Sequence, residues 1–248
     1  MSEITIKNHW AGKKVAFLGD SITDADHIGT TCNYWEYLQE MLDIEPLVYG
    51  INGCQWSDML SQSQKLFDEH IHDVDAIIVF MGTNDYSCGV PLGEWWQYQD
   101  REVNSRGQLD VRPCREADFN PDTFRGRINM NMAFLKEKFP RQQIILLTML
   151  HRGFAEFGGS NIQPAECFPN DCNLYLDSYI KVIKEAGNIW SVPVIDLNAL
   201  SGLYPMLDAY SDYFSNAQTD RLHPAAAGHK RIAETLKYQL LALPGSFR

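Results

Sequence analysis

The sequence contains no run of about eighteen apolar residues, so no segment is long enough to span a membrane as a helix. It has neither a P-loop nor a Gly-x-Gly-x-x-Gly motif, which leaves nucleotide binding without a sequence signal. No Cys-x-x-Cys pair occurs among the 6 cysteines, so the spacing of zinc ribbons is absent. The Gly-x-Ser-x-Gly nucleophile motif of α/β-hydrolases is also missing.

Positive charge is scarce as well. The chain has 21 Lys and Arg against 32 Asp and Glu, a formal net charge of −11, which argues against nucleic acid or an anionic membrane as a partner. Residues Met1–Trp10 lack the apolar segment of a signal peptide, which predicts a cytoplasmic protein. An exported protein whose signal peptide has been removed stays the alternative. In a reducing compartment the cysteines are free thiols, whereas after export Cys88 could pair with Cys114, and Cys167 with Cys172.

Short apolar runs alternate with helical patterns along the chain, as is typical of a parallel sheet covered by helices. The 248 residues, 45% of them hydrophobic, show no repeat or linker, which predicts one domain over residues 1–248. The predicted strands are Val15–Leu18, Leu47–Tyr49, Ala76–Phe80, Ile144–Thr148 and Val194–Asp196. The predicted helices are Tyr34–Leu42, Ser57–Phe67, Asp122–Phe139, Leu174–Trp190 and Ala225–Leu241.

Two stretches, 86–121 and 152–171, interrupt this alternation and are rich in Gly, Pro and aromatic residues. Long irregular segments in a compact domain are usually functional loops, and both follow predicted strands. We therefore expect loop insertions at the carboxyl edge of the sheet. Trp95 and Trp96 in the first stretch, and His151 with the adjacent Arg152 at the start of the second, are candidate substrate contacts. The two tryptophans could equally be core residues that hold the insertion down.

The most informative position is Ser21, in a tight turn directly after the first predicted strand. Ligands of open parallel α/β sheets bind at the carboxyl ends of the strands, although a serine there is more often a turn or cap residue. Serine needs a general base to act as a nucleophile, and His223 can supply one. Asp220, three residues earlier, can orient the imidazole. Alternatively, Asp220 caps a turn and His223 is a surface residue.

Two further positions could bind a developing oxyanion. Asn84 follows the third strand with a side-chain amide, and Gly53 follows the second strand with an unobstructed backbone N–H. For Asn84 the alternative is that Gly82-Thr83-Asn84-Asp85 simply forms a turn. With a strand order of 2-1-3-4-5, Ser21 and Asn84 end neighbouring strands, about 4.8 Å apart.

These residues lie in four short blocks that resemble those of the SGNH hydrolases, also called the GDSL esterase/lipase family. The blocks appear in the family's order: Gly19-Asp20-Ser21, Gly50-x-x-Gly53, Gly82-Thr83-Asn84-Asp85 and Asp220-x-x-His223-Pro224. The resemblance implies a flavodoxin-like three-layer α/β/α fold with a five-stranded parallel sheet of order 2-1-3-4-5. It also implies ester hydrolysis without a metal or an organic cofactor.

By position, the resemblance makes Ser21 the nucleophile, His223 the base and Asp220 the orienting acid. The implied oxyanion hole uses the backbone N–H groups of Ser21 and Gly53 and the side chain of Asn84. The first block continues Ile-Thr rather than ending in Leu, and an alanine follows His-Pro where the family often has Asn. Neither departure touches a catalytic role.

Other polar clusters are weaker candidates. The segment Asp24-Ala-Asp-His27 is expected to be a solvated loop rather than a metal site, the Glu69–Asp73 segment a solvated helix end, and His229 a structural residue. The leading hypothesis is a serine esterase for short acyl groups, above all acetyl esters on carbohydrates, because exposed aromatic faces stack on sugar rings. The expected partner is thus a small-molecule or oligosaccharide ester, and the oligomeric state is left open. A lysophospholipase or thioesterase for longer chains, and a noncatalytic carbohydrate-binding module on the same fold, are the alternatives.

Overall fold

The computed structural model of the protein describes residues 8–247. The strands, in chain order, are β1 (Lys14–Gly19), β2 (Glu45–Val48), β3 (Ala76–Phe80), β4 (Trp96–Ser105), β5 (Gln108–Ala117), β6 (Gln143–Leu147), β7 (Ala155–Glu156), β8 (Ile162–Gln163), β9 (Val194–Ile195), β10 (Phe214–Asn216) and β11 (Asp220–Pro224). The helices are α1 (Tyr34–Leu42), α2 (Met59–His70), α3 (Thr83–Ser87), α4 (Phe124–Lys138), α5 (Leu176–Trp190), α6 (Leu197–Leu200) and α7 (Ala226–Leu241), with a 3₁₀ helix at Asp208–Tyr213.

The central sheet has five parallel strands in the order β2-β1-β3-β6-β9. Counting these five strands alone, the order is the predicted 2-1-3-4-5, and the predicted fold class is confirmed. The register pairs Gly19 at the end of β1 with Phe80 at the end of β3. The turns that follow these two strands therefore start side by side at the carboxyl edge of the sheet.

Both faces of the sheet are buried, which explains why its central strands are continuous apolar runs instead of alternating ones. Along β1, Ala16 and Leu18 contribute to the core beneath α2, α4 and α5. Val15 and Phe17 point the other way and pack with residues of α1 and α7. Each fully buried large apolar side chain contributes about 1.5–3 kcal/mol, so these two cores hold the three layers together.

The segment 86–121 was expected to be irregular, but most of it forms the antiparallel hairpin β4–β5. The strands pair from Trp96 and Ala117 to Ser105 and Gln108. Arg106 and Gly107 at the turn have φ values of 57° and 81°, as a tight two-residue hairpin turn requires. Sequence patterning missed the hairpin because most residues of both strands are exposed, so no buried face imposes an apolar alternation.

The segment 152–171 also contains strands that were not predicted. β7 and β8 join β10 and β11 in a second sheet, with the order β10-β11-β7-β8. Asp220 and His223 were expected on a turn, but they lie on β11, where Asp220 pairs with Ala155 of β7. Two-residue strands carry no periodic signal, and their pairing across some 65 residues of sequence is set by tertiary contacts alone.

The cysteines Cys32, Cys54, Cys88, Cys114, Cys167 and Cys172 are all free thiols in the structure. Neither of the two pairings considered for an exported protein is formed. No helix within residues 8–247 is both long and apolar enough to cross a membrane.

Candidate active site

The turn that presents Ser21 begins with a glycine for a steric reason. A Cβ atom on Gly19 would lie 2.4 Å from Thr23 Oγ1 and 2.8 Å from the Phe80 carbonyl oxygen. Gln62 of α2 holds the same glycine from the other side. Its Oε1 accepts from Gly19 N at 3.0 Å, and its Nε2 donates to Gly19 O at 2.9 Å. The end of β1 is thereby fixed between α2 and β3.

Asp20 shapes the turn itself. Its carbonyl oxygen accepts hydrogen bonds from the N–H groups of Thr23 and Asp24, and its Oδ1 accepts from Ile22 N at 3.1 Å. Ser21 is left at the apex of this turn with its side chain directed at β11. The residue is only 4% exposed.

Ser21, His223 and Asp220 form one chain of hydrogen bonds, although the serine and the histidine are 202 residues apart in sequence. Ser21 Oγ lies 2.9 Å from His223 Nε2. His223 Nδ1 lies 3.0 Å from Asp220 Oδ2. With the imidazole proton on Nδ1, the ring donates to the carboxylate and accepts the serine O–H. This is the arrangement in which a histidine can remove the hydroxyl proton.

The second carboxylate oxygen of Asp220 fixes the side chain in the position from which it orients the imidazole of His223. Oδ1 accepts from the backbone N–H groups of His223 at 3.0 Å and Leu222 at 3.1 Å. Burial raises the pKa of Asp220, but the hydrogen bonds and charge of His223 and the two backbone donors outweigh it, so the net pKa is lowered. The carboxylate therefore stays ionised beside the imidazole.

The candidate oxyanion donors lie on the loop after β2 and at the start of α3. Asn84 Nδ2 donates to the Cys54 carbonyl oxygen at 2.9 Å, which ties α3 to that loop and orients the amide. Gly53 has a φ of 79°, and a Cβ there would meet no heavy atom within 4 Å. Among the described residues, the backbone N–H groups of Ser21 and Gly53 have no hydrogen-bond acceptor. Both donors are thus free for a ligand.

Asp85 is a buried support for this region. Its two oxygens accept from Trp56 N at 3.0 Å and from Arg127 Nη1 at 2.9 Å, so it joins the loop after β2 to α3 and α4. Burial raises its pKa to about 6, although the Trp56 N–H and Arg127 act in the opposite direction. Burial likewise raises the pKa of Asp20 to about 7, against the opposing Ile22 N–H and the charge of His223.

Arg152 was considered with His151 as a possible substrate contact, but the structure buries its side chain in hydrogen bonds to the protein. It is 2% exposed, and its Nη1 donates to the carbonyl oxygen of Thr83 at 3.1 Å and to the Thr83 hydroxyl at 3.2 Å. Its Nη2 donates to Gln163 Oε1 at 2.6 Å. Burial lowers its pKa to about 10. The sequence does not indicate this burial, because an arginine after a strand usually lies in a solvated loop.

The structure does not bring the two tryptophans to Ser21, His223 and Asp220, the hydrogen-bonded residues called the candidate triad below. Trp95 is buried between α4 and α5, where its Nε1 donates to Glu185 Oε2 at 2.9 Å. Trp96 packs partly against the same core, beneath the guanidinium group of Arg115 at 4.5 Å. Within the described residues, neither tryptophan contacts Ser21, Asp220 or His223.

His151 lies at the carboxyl edge, where it also lines a small pocket beside Asp20 and Leu222. Its Nδ1 is 2.6 Å from Glu166 Oε1, and its ring packs edge-on against Tyr204. Together with Tyr175 and Asn198, it lines a surface cavity of about 330 Å³. A role as a substrate contact stays a prediction for this residue.

The other candidates have structural partners. Asp24 Oδ2 accepts from Asn52 N at 2.6 Å, and His27 Nε2 is 2.7 Å from Glu36 Oε2. His229 is fully buried, its Nδ1 accepts from Tyr34 N at 3.1 Å, and burial lowers its pKa to about 3. Within residues 8–247, no three His, Cys, Asp or Glu side chains converge as a metal site would require.

A three-layer α/β/α sandwich with a polar cluster at the carboxyl edge of its parallel sheet is a common enzyme architecture. The sequence profile of the GDSL-like lipase/acylhydrolase family matches residues 17–231, so the chain belongs to this family. The resemblance inferred from the four sequence blocks is confirmed. Membership is consistent with an ester hydrolase.

Solved structures show the same fold along nearly the whole chain. A protein from Lactobacillus plantarum superposes with a TM-score of 0.73 at 26% identity, over 94% of this chain and 98% of that chain. A possible lipase from Chitinophaga pinensis gives 0.67 at 19% identity, over 93% and 99%. A variant of an acetyl xylan esterase from Geobacillus stearothermophilus gives 0.56 at 19%, over 94% and 97%. A comparison with curated protein sequences finds no match.

Proposed function

We propose that the protein is a serine esterase that hydrolyses short-acyl, above all acetyl, esters carried by carbohydrates. The observation that supports it most is the continuous hydrogen-bonded chain from Ser21 Oγ through His223 to Asp220, with distances of 2.9 Å and 3.0 Å. A noncatalytic binding site has no need for a serine hydroxyl aligned on an imidazole that is itself oriented by a buried carboxylate.

In the first half-reaction, Ser21 Oγ attacks the ester carbonyl carbon while His223 Nε2 removes its proton. The carbonyl electron pair moves onto oxygen, and the oxyanion accepts from the N–H groups of Ser21 and Gly53 and the Asn84 amide. Loss of one such donor typically lowers the rate by ~10²–10³-fold. When the intermediate collapses, the C–O bond to the alcohol breaks and Nε2 returns the proton to the leaving oxygen.

In the second half-reaction, His223 removes a proton from water as the water attacks the acyl-enzyme. The new intermediate releases the acid, and Ser21 Oγ regains a proton from Nε2. Asp220 stabilises the imidazolium in both halves, and its lowered pKa keeps it ionised for this task. No metal or organic cofactor has a part in these steps.

The preference for a short acyl group rests on the enclosure of the site. Ser21 and His223 are only 4% and 5% exposed, so little space is open beside the reacting atoms. A protein with the same fold from Geobacillus stearothermophilus is an acetyl xylan esterase, and this supports acetylated sugars as the substrate class of this chain.

The proposal is tested by labelling the protein with a fluorophosphonate and by measuring hydrolysis of acetylated xylo-oligosaccharides. We expect Ser21→Ala to abolish the adduct and to lower kcat by at least ~10³-fold, because no other group supplies the nucleophile. Ser61→Ala on α2, an exposed serine, is the matched control and should react as the native protein does. A folded native protein that forms no Ser21-dependent adduct would instead favour the binding module.

Acyl-chain length separates the two enzymatic candidates. A series of p-nitrophenyl esters with increasing chain length should show the highest kcat/KM at two carbons, since the enclosed serine leaves little space for longer chains. A maximum at about eight carbons or more would contradict the acetyl preference and would support a lysophospholipase or thioesterase.

A further inference from the structure

The short hairpin β7–β8 bridges the two halves of the candidate active site. β7 pairs with β11, the strand that carries Asp220 and His223, through the register Ala155 to Asp220. β8 returns toward α3, which carries Asn84. The hairpin thus spans from the base to the oxyanion donors, and the proposed reaction assigns no task to it.

On the β11 side the hairpin is held by a ladder of backbone hydrogen bonds. Gly153 N donates to Arg221 O at 2.9 Å, Arg221 N donates to Phe154 O at 2.9 Å, and Glu156 N donates to Thr219 O at 2.7 Å. The backbone on both sides of β7 is therefore fixed relative to the histidine strand. A side chain on or next to β7, such as that of Phe157, therefore has a defined position relative to His223.

On the α3 side the hairpin is held by a side chain of β8. Gln163 Oε1 accepts from Ser87 Oγ at 3.2 Å and from Arg152 Nη2 at 2.6 Å. Arg152 in turn donates to Thr83 at the start of α3. Since Thr83 directly precedes Asn84, this clamp sets the distance between the hairpin and the oxyanion donors.

Phe157 is the residue that this double clamp places over the triad. Its ring centroid lies 5.3 Å from that of His223, with the two planes tilted by 58°. The side chain is nevertheless 41% exposed, so one part of the ring covers the imidazole while another part faces solvent. Phe157 N donates to Asn161 O at 3.0 Å, which closes the hairpin tip just beyond the ring. Gly158 and Gly159 in the tip have φ values of 91° and 61°, as a tight reversal requires.

We infer that Phe157 forms the wall on which the leaving alcohol packs, and that it selects esters of ring-bearing alcohols such as acetylated sugars. The inference rests on the proposed function. His223 Nε2 must return its proton to the leaving oxygen, so the group attached to that oxygen lies beside the imidazole. The oxyanion donors, on the loop after β2 and on α3, bind the carbonyl oxygen and not the alcohol. The partly exposed aromatic ring of Phe157, in contact with the imidazole, therefore lies on the side of the alcohol, and such a ring packs on the apolar face of a sugar.

The test compares two acetyl esters that differ only in their alcohol: an acetylated methyl xyloside and methyl acetate. We expect Phe157→Ala to lower kcat/KM by about tenfold for the sugar ester, the loss of one aromatic contact, and to change it by less than about threefold for methyl acetate. Phe157→Trp, which keeps a flat ring, should restore most of the sugar-ester activity. Phe168→Ala, an exposed phenylalanine of the same segment, is the matched control and should leave both values unchanged.

Two results would overturn the inference while leaving the proposed function intact. One is an equal loss for both esters in Phe157→Ala, which would mean that the ring only positions His223. The other is a loss that depends on the acyl chain in a series of methyl esters, which would place Phe157 on the acid side. A native protein that hydrolyses none of these esters in a Ser21-dependent manner would overturn both proposals. Thermal unfolding of each variant shows whether the hairpin remains folded.

Discussion

The hairpins β4–β5 and β7–β8 are both two-stranded, and both lie in segments whose sequence suggests loops, but their surroundings are opposite. The first is ten residue pairs long and projects apolar side chains into solvent: Leu109 is 75% and Val111 61% exposed. The second has two residue pairs, yet it is joined to β11 and α3 and places Phe157 against His223. An isolated two-stranded hairpin is marginally stable in water, so its contacts at the base decide what it can do.

The comparison shows that the length of an inserted hairpin does not indicate whether it contacts the candidate active site. The long hairpin is anchored by Trp95, whose indole donates to Glu185 and whose carbonyl oxygen accepts from Asn129 Nδ2 at 3.0 Å. Glu185 and Asn129 belong to α5 and α4, which cover one face of the sheet and do not carry Ser21. The short hairpin is anchored by residues that are neighbours of the triad and of Asn84. We therefore expect the two anchors to affect different properties.

Replacement of the anchor of the long hairpin should affect stability most and catalysis least. Trp95→Ala removes a buried indole, and we expect the free energy of unfolding to fall by about 3–5 kcal/mol. Chemical denaturation measures this loss. The kcat/KM of the fraction that remains folded should stay within about threefold of the native value, because Trp95 contacts no residue of the triad.

A shortened hairpin is the control for this anchor. Replacing residues 99–114 with a two-residue Asn-Gly turn removes only the exposed part, and we expect unfolding and activity to change little. If that shortened variant loses more than about tenfold in kcat/KM, the long hairpin reaches the substrate and the contrast drawn above is wrong.

Replacement of the anchor of the short hairpin should affect both properties. Arg152→Met removes the guanidinium donor from the buried oxygen atoms of Thr83, at a cost of about 1–3 kcal/mol for each group that stays unsatisfied. It also leaves the Ser87 hydroxyl as the one side-chain donor from α3 to Gln163 of β8 among the described residues, so we expect kcat/KM for acetylated sugars to fall about tenfold as the position of Phe157 becomes less defined. Denaturation and kinetics on the same preparation measure the two effects. Unchanged kinetics in a destabilised variant would show that the clamp on β8 is not needed for the site.

Asp20, in the turn that presents Ser21, should give the protein a pH-dependent stability. Its pKa is raised to about 7 in the folded state from an ordinary value of 3.8, so the folded protein keeps this proton over a range in which the unfolded chain has lost it. Its contribution to stability is therefore full below about pH 4 and declines as the pH rises to about 7. Asp20→Asn keeps an acceptor for the Ile22 N–H and should flatten this decline by about 1–3 kcal/mol between pH 5 and pH 8.

The measurement is chemical denaturation at a series of pH values, with Asp100→Asn on the exposed β4 as the matched control. A decline that persists in Asp20→Asn would assign the effect to another buried carboxyl, such as Asp85. Since the charge of Arg152 lowers the pKa of Asp20, Arg152→Met should shift the decline to higher pH. Such a shift would show that Arg152, which anchors the short hairpin, also controls the pKa of Asp20.

Much of the site could be predicted from sequence because its parts are local. Gly19 to Ser21 form a tight turn after a strand, Asn84 opens a helix after the next strand in the sheet, and the spacing of Asp220 and His223 permits their hydrogen bond. The alternation of apolar runs with helical patterns predicts a parallel sheet, and the resemblance to the SGNH hydrolases implies the order of its strands. Each of these features is encoded within a few residues, or in the rules that govern parallel sheets.

The remaining features depend on contacts between distant segments. The sequence determined that a serine and an amide follow the ends of neighbouring strands and that an aspartate stands three residues before a histidine. Local turn chemistry and strand patterning are enough to predict these positions. Only the tertiary structure decided that Trp95 is buried between two helices while Phe157 covers the imidazole, although both lie in aromatic-rich segments of similar composition. The physical reason is that burial and pairing are properties of the packed neighbours. For Phe157 those neighbours, β11 and α3, come from regions of the chain that lie more than about 60 residues away on either side.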